Sequence, residues 1–504
     1  MNPSPHPALD PSSIFDRSVS GRRSSSIPST PPELASPEGL IPAHLLRKEP
    51  PELPEVSELD LVRHYTNLSR KNWGIDVGPY PLGSCTMKYN PKIHEQTAAL
   101  PGFRTLHPWQ REEQCQGALK LLWETERLLA EMTGMDRATL QPAAGAAGEL
   151  TGLLIMRAYH RSRGDGRKVV LVPDSAHGTN PATVRLAGYE ARQIPTDRRG
   201  LIDLEALRRA TDESVAGLML TNPNTLGLFE TDIKDIADAV HSSGGLLYYD
   251  GANLNAIVGV VRPGDMGFDI VHTNLHKTFT TPHGGGGPGS GPVAVTAKLE
   301  PFLPSPLPAL DPETGEYFWD HDRPSSIGRL HGFHGNFGMV VRAYTYIKSL
   351  GAEGIHRVAE MAVLNANYLR NRIEPAYPTA FPGTCMHEFV ATAKGFRKHG
   401  VRAVDIAKRL IDLGFHPPTV YFPLVVEEAL MVEPTETESK QSLDRLADAF
   451  LQIAEEAASN PELLHEAPVT TPVGRLDQAR AARDPQVRWP FRLPTEKVSQ
   501  AGKV

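Results

Sequence analysis

The stretch AGLMLTNPNTLGLFETDIKDIADAVHSSGGLLYYDGAN, residues 216–253, decides the fold. It begins with an apolar run, continues through a segment with helical spacing, and ends with a second apolar run. Gly244 and Gly245 lie between the helical segment and the second run, where we expect them to end the helix. Two apolar strands joined by a helix predict parallel pairing, because parallel neighbours need a crossover connection.

The same alternation continues on both sides of this stretch. Further apolar runs are VVLVPD (169–174), DIVHTN (269–274) and PVAVT (292–296). Together these runs predict a mostly parallel sheet that is covered by helices on both faces. Ahead of them, QGALKLLWETERLLAEMTG predicts a helix that ends at Gly134. The chain is therefore expected to have an α/β fold.

The composition predicts five segments along the chain. They are an extended Pro-rich arm (1–55, with 1–12 disordered), an N-terminal segment (56–110, with a functional loop at 80–92), a large domain (111–324), a smaller C-terminal α+β domain (325–470) and a C-terminal extension (471–504). Within the smaller domain, MHEFVATA and YFPLVV are the strand candidates.

Bulk properties exclude several classes of protein. A length of 504 residues exceeds what one compact core holds, and 40% hydrophobic with 22% charged residues is typical of globular chains. A net charge of -7 argues against general nucleic-acid binding. The sequence contains no apolar run of membrane-spanning length and no secretory signal. Its three scattered cysteines fit a reducing compartment, so we expect a cytoplasmic protein with neither nucleic acid nor membrane as a partner.

Lys277 lies in the stretch TNLHKTFTTPHGGGGPGSGP (273–292), just ahead of a dense run of glycines. A P-loop would place its lysine after the glycines and follow it with Ser or Thr. Here the order is reversed, and Gly291 is followed by Pro292 and Val293. The P-loop interpretation fails, and the lysine needs another role.

Polar residues follow four of the apolar runs, at the sheet edge where ligands bind in parallel α/β folds. In chain order the candidate residues there, which include the small Ala252, are His177, Asn222, Thr225, Asp250, Ala252, His276, Lys277 and Thr278. Upstream, a helical segment begins with the small residues Gly145, Ala146, Ala147 and Gly148. Small residues at a helix start let a phosphate approach the free backbone N–H groups.

A phosphate site, a carboxylate, a lysine and an imidazole at one sheet edge indicate pyridoxal phosphate. Its aldehyde needs a lysine amine, and Lys277 would serve if its pKa falls from about 10.4. Its ring nitrogen needs a carboxylate, for which Asp250 is the candidate. We expect His177 to stack on one ring face, with Ala252 leaving room on the other. The sequence contains no pattern that indicates a metal site.

The remaining residues of this edge allow more than one interpretation. Either Asn222 or Thr225 is expected to hydrogen-bond the ring hydroxyl, and His276 and Thr278 flank the lysine. Taken singly, a lysine after a strand is usually a surface residue, and an aspartate that closes a strand is usually a turn former. The coincidence of four such groups at one edge favours the functional interpretation.

Three further residues are weaker candidates. His331 and His334, in HGFHGN, lack carboxylate or cysteine neighbours in the sequence, so we expect a structural loop there and no metal site. Cys85 could be a reactive thiol, but its sequence context does not indicate one. We expect Cys85 to be structural or at most close to the substrate.

Several long blocks resemble the P-protein family of the glycine cleavage system, glycine dehydrogenase (decarboxylating), and in particular subunit 2 of its split form. They are KEPPELPEVSELDLVRHYTNLSRKNWGIDVGPYPLGSCTMKYNPK, LPGFRTLHPWQREEQCQGALKLL, SAHGTNPAT, TNPNTLGLFE, YYDGANLNAI, NLHKTFTTPHGGGGPGSGPV and MHEFV. The resemblance extends from about Ile14 to beyond Pro472.

The resemblance implies a fold type I pyridoxal-phosphate-dependent transferase of the aspartate aminotransferase-like architecture. It implies a large domain with a mostly parallel sheet and a smaller C-terminal α+β domain. It also implies that pyridoxal 5'-phosphate is bound covalently to Lys277, that Asp250 pairs with the ring nitrogen and that His177 stacks on the ring. The implied reaction decarboxylates glycine and transfers the aminomethyl group to a lipoyl group on H-protein.

The implied partners are lipoylated H-protein, a glycine dehydrogenase subunit 1 in an α2β2 assembly, and the T-protein and L-protein of the same system. The loops at 80–92 and 279–291, with His107 and His283, are expected to shape a channel for the lipoyl arm. Two alternatives stay open. One is another amino-acid decarboxylase or aldolase of this fold type, and the other is a non-catalytic scaffold subunit.

Overall fold

The protein is described from a computed structural model. The described residues are 13–24, 31–34, 36, 39–49, 51–284, 289–330, 332–381, 383–485 and 487. The predicted disorder of residues 1–12 lies outside them. The chain separates into two compact units, one formed by Met1–Gly74 with Thr471–Val504 and the other by Ile75–Thr470. The finer division into five segments stays a prediction.

The helices and strands follow one another as the sequence rhythm indicates. The helices are α1 (Glu58–Ser69), α2 (Lys92–Ala98), α3 (Pro101–Arg104), α4 (Gln116–Thr133), α5 (Gly145–Ser162), α6 (Thr179–Leu186), α7 (Leu204–Ala210), α8 (Ile233–Ser242), α9 (Phe337–Ile373), α10 (Ala403–Asp412), α11 (Lys440–Ser459), α12 (Glu462–Glu466) and α13 (Gln478–Arg483). The strands are β1 (Arg137–Thr139), β2 (Val169–Pro173), β3 (Glu190–Ile194), β4 (Val215–Thr221), β5 (Leu246–Gly251), β6 (Ile270–Thr273), β7 (Val293–Val295), β8 (Leu307–Leu310), β9 (Tyr317–Asp320), β10 (Phe389–Thr392), β11 (Thr419–Val420) and β12 (Ala429–Val432).

A seven-stranded sheet forms the centre of the larger unit, in the order β1-β7-β6-β5-β4-β2-β3. The five neighbouring strands β6, β5, β4, β2 and β3 pair in parallel. β7 pairs antiparallel with both β6 and β1. Residues 216–253 form most of β4, all of α8 and all of β5, as predicted. The fold is therefore the mostly parallel α/β architecture that the sequence indicates.

Side chains alternate between the two faces of the central sheet. Tyr248 packs with Met156 of α5 on one face, and Tyr249 packs with Ile236 and Val240 of α8 on the other. All five side chains are fully buried. Because both faces are covered, β4 and β5 read as continuous apolar runs in the sequence.

The C-terminal part of the larger unit contains a three-stranded antiparallel sheet, β10-β12-β11, and a second cluster of buried apolar side chains. MHEFVATA contains β10 as predicted, but the strand prediction for YFPLVV is wrong. Residues 421–426 instead belong to the turn segment between β11 and β12, where Tyr421 has a φ of 59°. Pro423 has no N–H to donate to a strand ladder, which explains why the apolar run does not pair.

One glycine follows the end of helix α4, as predicted, and another interrupts helix α9. Helix α4 ends at Thr133 and is followed by Gly134, whose φ is 69°. Helix α9 is interrupted at Gly351, which has non-helical angles of φ 63° and ψ -175°. Among the described residues, none of the helices combines the length and the apolar character that a membrane span needs.

Candidate active site

The carboxyl ends of β2, β5 and β6 carry three of the predicted residues. Asp250 is part of β5 and pairs in register with His272 of β6. Lys277 follows β6, and His177 precedes α6. The positive charge of Lys277 acts electrostatically on both His177 and Asp250. The structure therefore places these three side chains in one neighbourhood, as expected of strand-end residues.

Asp250 is a buried carboxylate with three partners. Its Oδ2 accepts a hydrogen bond from Nδ2 of Asn180 at 2.8 Å, and its Oδ1 accepts one from the backbone N–H of Ala252 at 2.9 Å. Nε2 of His272 lies 3.3 Å from Oδ1. Burial alone would raise the pKa of Asp250. His272, Asn180 and Ala252 lower it by more than burial raises it, so the net pKa is below the usual value. The group is therefore a permanent negative charge at neutral pH.

Lys277 is half-buried, and its Nζ donates a hydrogen bond to the backbone carbonyl of Ser84 at 2.9 Å. Its backbone N–H donates to the carbonyl of Asn274 at 3.1 Å. The amine thus faces the segment 80–92, which the sequence predicts as a functional loop. A primary amine held by a backbone carbonyl has the geometry of a positioned nucleophile.

Helix α5 begins at Gly145 directly beside the end of β6. Ala144 gives no side-chain cap, so the first N–H groups of the helix lack an acceptor within it. A Cβ on Gly145 would lie 2.3 Å from Oδ1 of Asn274, so any larger residue would force the Asn274 side chain or the helix start to shift. The helix start, with Ala146 and Ala147, is consequently a place where an anion can bind to bare N–H groups.

His177 contacts Phe422, which lies in the turn between β11 and β12. Its ring packs edge-to-face against Phe422, with centroids 5.5 Å apart and an interplanar angle of 67°. Its Nδ1 accepts the backbone N–H of Thr179 at 3.2 Å. Desolvation, followed by the charge of Lys277, lowers the pKa of His177, which keeps the ring neutral at pH 7.

Asn222 and Thr225 have their polar atoms engaged within the fold. Oδ1 of Asn222 accepts the backbone N–H of Glu230 at 3.0 Å, and its Nδ2 lies 3.8 Å from Sδ of Met266. The hydroxyl of Thr225 donates to the backbone carbonyl of Ser175. Their expected contact with a ring hydroxyl stays a prediction.

His276 and Thr278 flank the lysine on opposite sides in sequence. Nδ1 of His276 accepts the backbone N–H of Ser290 at 3.3 Å, and its ring packs edge-to-face on His283 at 5.2 Å. Burial lowers the pKa of His276 to about 3 and that of His283 to about 4, so both are neutral. The hydroxyl of Thr278 is buried without a hydrogen-bond partner among the described residues. The glycines at 285–287 lie outside those residues.

Three buried titratable side chains near Lys277 were not predicted from the sequence. Nε2 of His387 lies 3.9 Å from Oε1 of Glu388 and 3.8 Å from Oε1 of Glu433. Burial lowers the pKa of His387 to about 3, raises that of Glu433 to about 7, and raises that of Glu388 well above its usual value. The MHEFV motif contains two of these residues, but its apolar ends favoured a strand interpretation.

Lys88 anchors the segment 80–92 from the other side. Its Nζ, which is buried, lies 2.7 Å from Oδ1 of Asn255, 2.7 Å from Oε1 of Glu436 and 3.3 Å from the hydroxyl of Tyr346. Burial lowers the pKa of Lys88, but Glu436 raises it by more, so the ammonium stays charged. The ion pair with Glu436 attaches the segment to the C-terminal part, and the hydrogen bond to Asn255 attaches it to the turn that follows β5.

Two other histidines named in the sequence analysis, His107 and His334, line a separate cavity. His107 and His334 line an apolar cavity of about 100 Å³ together with Trp319 and Phe333. His334 stacks on Trp319 with ring centroids 3.8 Å apart. Its partner in the sequence motif, His331, lies outside the described residues. A channel role for His107 stays a prediction.

The site fits a ligand with three chemical parts. The bare N–H groups at the start of α5 and the unpartnered hydroxyl of Thr278 suit an anionic group. The carboxylate of Asp250 suits a protonated ring nitrogen, and the amine of Lys277 suits a carbonyl carbon. A phosphorylated pyridine aldehyde has all three parts.

Comparison with family models gives two matches. Residues 35–308 match the model "Glycine cleavage system P-protein", and residues 358–467 match "Glycine dehydrogenase, C-terminal domain". The first match covers more than half of the chain.

Curated relatives are similar along nearly their whole length. A probable glycine dehydrogenase (decarboxylating) subunit 2 from Caldanaerobacter subterraneus subsp. tengcongensis is 59% identical over 477 residues, which is 94% of this chain and 98% of the relative. The protein of the same name from Thermotoga maritima is 58% identical over 478 residues, covering 94% of this chain and 99% of the relative.

Solved structures share the fold at lower identity. An inhibitor-bound glycine decarboxylase (P-protein) of the glycine cleavage system superposes with a TM-score of 0.70 at 23% identity, covering 85% of this chain and 100% of that one. A sphingosine-1-phosphate lyase from Burkholderia pseudomallei superposes with a TM-score of 0.60 at 15% identity, covering 84% and 96%. These likenesses identify the architecture as fold type I.

Proposed function

The chain belongs to the glycine cleavage system P-protein family, and from this membership we infer that it is a glycine dehydrogenase (decarboxylating) subunit that removes carbon dioxide from glycine. The observation that carries this inference is the 59% identity, over 94% of the chain, to a relative with that name. The relatives favour this reaction over the other decarboxylases and aldolases of the fold and over a non-catalytic scaffold.

We propose that the site holds pyridoxal phosphate. The fold type and the three-part fit described above support this cofactor. When bound, it supplies a protonated aromatic ring that accepts the electron pair left as carbon dioxide departs. We propose that Lys277 binds the cofactor covalently through Nζ, and that the start of α5 with Thr278 holds its phosphate.

The other predicted side chains would orient and polarise the ring. Asp250 holds a full negative charge, because Asn180, Ala252 and His272 surround it with polar partners, and this charge keeps a proton on the ring nitrogen. His177 is proposed to stack on one ring face as a neutral imidazole. Ala252 has only a methyl group and leaves the opposite face free.

The partners are proposed from the relatives' name and from the family. "Subunit 2" implies a second subunit, and we propose that the chain pairs with subunit 1 in an α2β2 assembly in the cytoplasm. We further propose that the aminomethyl group is transferred to the lipoyl group of H-protein, with T-protein and L-protein completing the system. The segment 80–92, held by Lys88, and the segment 279–291 would shape the lipoyl channel.

Exchange of labelled bicarbonate into glycine tests the function. The purified chain, loaded with pyridoxal phosphate, is assayed alone, with subunit 1, and with subunit 1 and lipoylated H-protein. We expect exchange only with the complete set, and none when Lys277→Ala replaces the natural chain. Release of free methylamine without H-protein would favour the alternative decarboxylase, and absence of exchange from the complete set would refute the proposal.

A further inference from the structure

Ser84 and Thr86 have left-handed backbone conformations although neither is glycine. Their φ angles are 64° and 48°. A residue with a Cβ is strained in this region, so surrounding contacts must hold it there. Ser84 is also the residue whose carbonyl accepts the hydrogen bond from Nζ of Lys277 at 2.9 Å. The strained backbone therefore lies directly against the reactive amine.

Two buried glutamates hold this strained backbone. Oε2 of Glu388 accepts the N–H of Ser84 at 2.7 Å, and Oε2 of Glu433 accepts the N–H of Thr86 at 2.9 Å. Both glutamate side chains are 0% exposed. Nδ2 of Asn253 adds a hydrogen bond to Oε1 of Glu388 at 3.2 Å. Each left-handed residue thus has its own carboxyl acceptor.

The smaller sheet explains why the two glutamates meet. β10 and β12 pair antiparallel with Phe389 opposite Val432, so Glu388 and Glu433 come at the next opposed position. Oxygen atoms of the two carboxyls and a ring nitrogen of His387 lie within 4.8 Å of one another.

The chain before Ser84 runs along β12 as an added edge. The N–H of Gly83 donates to the carbonyl of Met431 at 3.3 Å, and the N–H of Glu433 donates to the carbonyl of Pro81 at 3.2 Å. These hydrogen bonds fix residues 81–83 against β12, and so fix the position of Ser84 beside Lys277.

Electrostatic repulsion determines the protonation of Glu388 and Glu433. Two ionised carboxylates within 4.8 Å and out of water repel strongly, so such a pair keeps one proton between them. The other titratable groups that face the pair are Lys277, His387, Glu436 and Cys85. His387 has no hydrogen-bond partner among the described residues and offers no positive charge, so Lys277 is the cation that balances the pair.

We propose that Glu388 and Glu433 form a buried carboxyl pair, sharing one proton, that holds residues 84–86 in their strained conformation and thereby positions the amine of Lys277. Both are positioning residues, because Glu388 acts on Lys277 through Ser84 and Glu433 holds the same backbone segment at Thr86. The inference rests on the proposed function only in taking Lys277 as the reactive lysine.

The test uses the cofactor-free full chain and two readouts. Hydrogen exchange, resolved by mass spectrometry, reports on the amides of Ser84 and Thr86. Labelling of Lys277 by an amine reagent, measured against pH on the Lys277 peptide, reports on its ammonium. The variants are Glu388→Ala, and the double variant Glu388→Gln with Glu433→Gln. The control is Glu126→Gln, a buried carboxyl beside Arg137 that lies outside the site.

Glu388→Ala removes the acceptor, so we expect the Ser84 amide to exchange about tenfold faster, the loss expected for one hydrogen bond. The double glutamine variant keeps one acceptor oxygen at each position, for the amides of Ser84 and Thr86, but removes the negative charge. We therefore expect protected amides, but labelling of Lys277 about tenfold faster at neutral pH, since its ammonium has lost a counter-charge. The control should match the natural chain in both readouts.

Unchanged exchange at Ser84 in a folded Glu388→Ala chain would overturn the proposal. If that variant does not fold, the double glutamine variant decides alone, and unchanged labelling of Lys277 would overturn the proposal. If the two variants show their expected effects but the natural chain, with subunit 1 and lipoylated H-protein, does not exchange bicarbonate into glycine, the carboxyl pair is supported and the proposed function is refuted. The two failures are thus distinguishable.

Discussion

The side-chain amide of Asn180 donates a hydrogen bond to Oδ2 of Asp250 across 2.8 Å. Asn180 belongs to α6 and Asp250 to β5, so the contact joins a helix start to a strand end. Asp250 is 2% exposed, and a carboxylate at that depth is stable only when its oxygens are hydrogen-bonded. Asn180 is therefore part of what keeps the charge that the proposed cofactor ring needs.

Replacing Asn180 with leucine should weaken binding of pyridoxal phosphate. The substitution removes a hydrogen bond to a charged group, which contributes about 1.5–3 kcal/mol, and the pKa of Asp250 rises because burial is then less opposed. Titration of the cofactor-free variant with pyridoxal phosphate, followed by absorbance, should show an affinity at least about tenfold lower than that of the natural chain. Asn367→Leu, which removes an amide bonded to the carbonyl of Cys385, is the matched control. Equal affinity in the two variants would contradict the role of Asn180.

The sequence predicts five of the seven central strands, because their short apolar runs alternate with helical segments, whereas β1 and β3 contain no such run. It also predicts that Asp250 and Lys277 lie near each other, since strand ends in a parallel sheet converge on one edge. Glu388 and Glu433 escape prediction because only the antiparallel register of β10 and β12 brings them together. Asn180 escapes for a similar reason, since its partner is 70 residues away in the chain.

Lys277→Ala should abolish exchange of bicarbonate into glycine, with a loss of at least about a thousandfold, because the covalent attachment has no substitute amine at that position. Borohydride reduction of the loaded natural chain should fix a cofactor label on the Lys277 peptide. Lys394→Ala is the control, since its ammonium is exposed and forms an ion pair with Glu427 outside the proposed site. A reduced label on another lysine would refute the assignment.

Stability should depend on pH through Glu126. Burial raises the pKa of Glu126 from its ordinary value of 4.5 to about 8, so the folded chain keeps a proton that the unfolded chain releases. This contribution is fully present below pH 4.5 and is lost as the pH rises through about 8. Urea unfolding should therefore show the natural chain losing stability relative to Glu126→Gln by about 1.4 kcal/mol per pH unit between these values. Parallel curves for the two chains would contradict the prediction.

Lys88→Met should destabilise the chain by about 3–5 kcal/mol, because it leaves the carboxylate of Glu436 buried without its cation. The two charges lie 2.7 Å apart, and their side chains are 1% and 8% exposed. Adding Glu436→Gln should recover most of the loss, since the unpaired charge is then gone. Chemical unfolding of the two variants measures both effects. A double variant no more stable than Lys88→Met would show that packing, and not charge, sets the loss.

Gly145→Ala should weaken phosphate binding without unfolding the chain. A Cβ at this position would lie 2.3 Å from Oδ1 of Asn274, so either the buried side chain of Asn274 or the start of α5 must shift. Bare N–H groups bind an anion only while they point at it, and a shift of about 1 Å can cost about a hundredfold in a positioned site. We therefore expect at least about tenfold weaker binding of pyridoxal phosphate, and weaker competition by inorganic phosphate. Gly117→Ala, in the first turn of α4 with no atom within 4 Å of its Cβ, is the matched control. If Gly145→Ala bound the cofactor as tightly as the control, the phosphate would have to bind elsewhere.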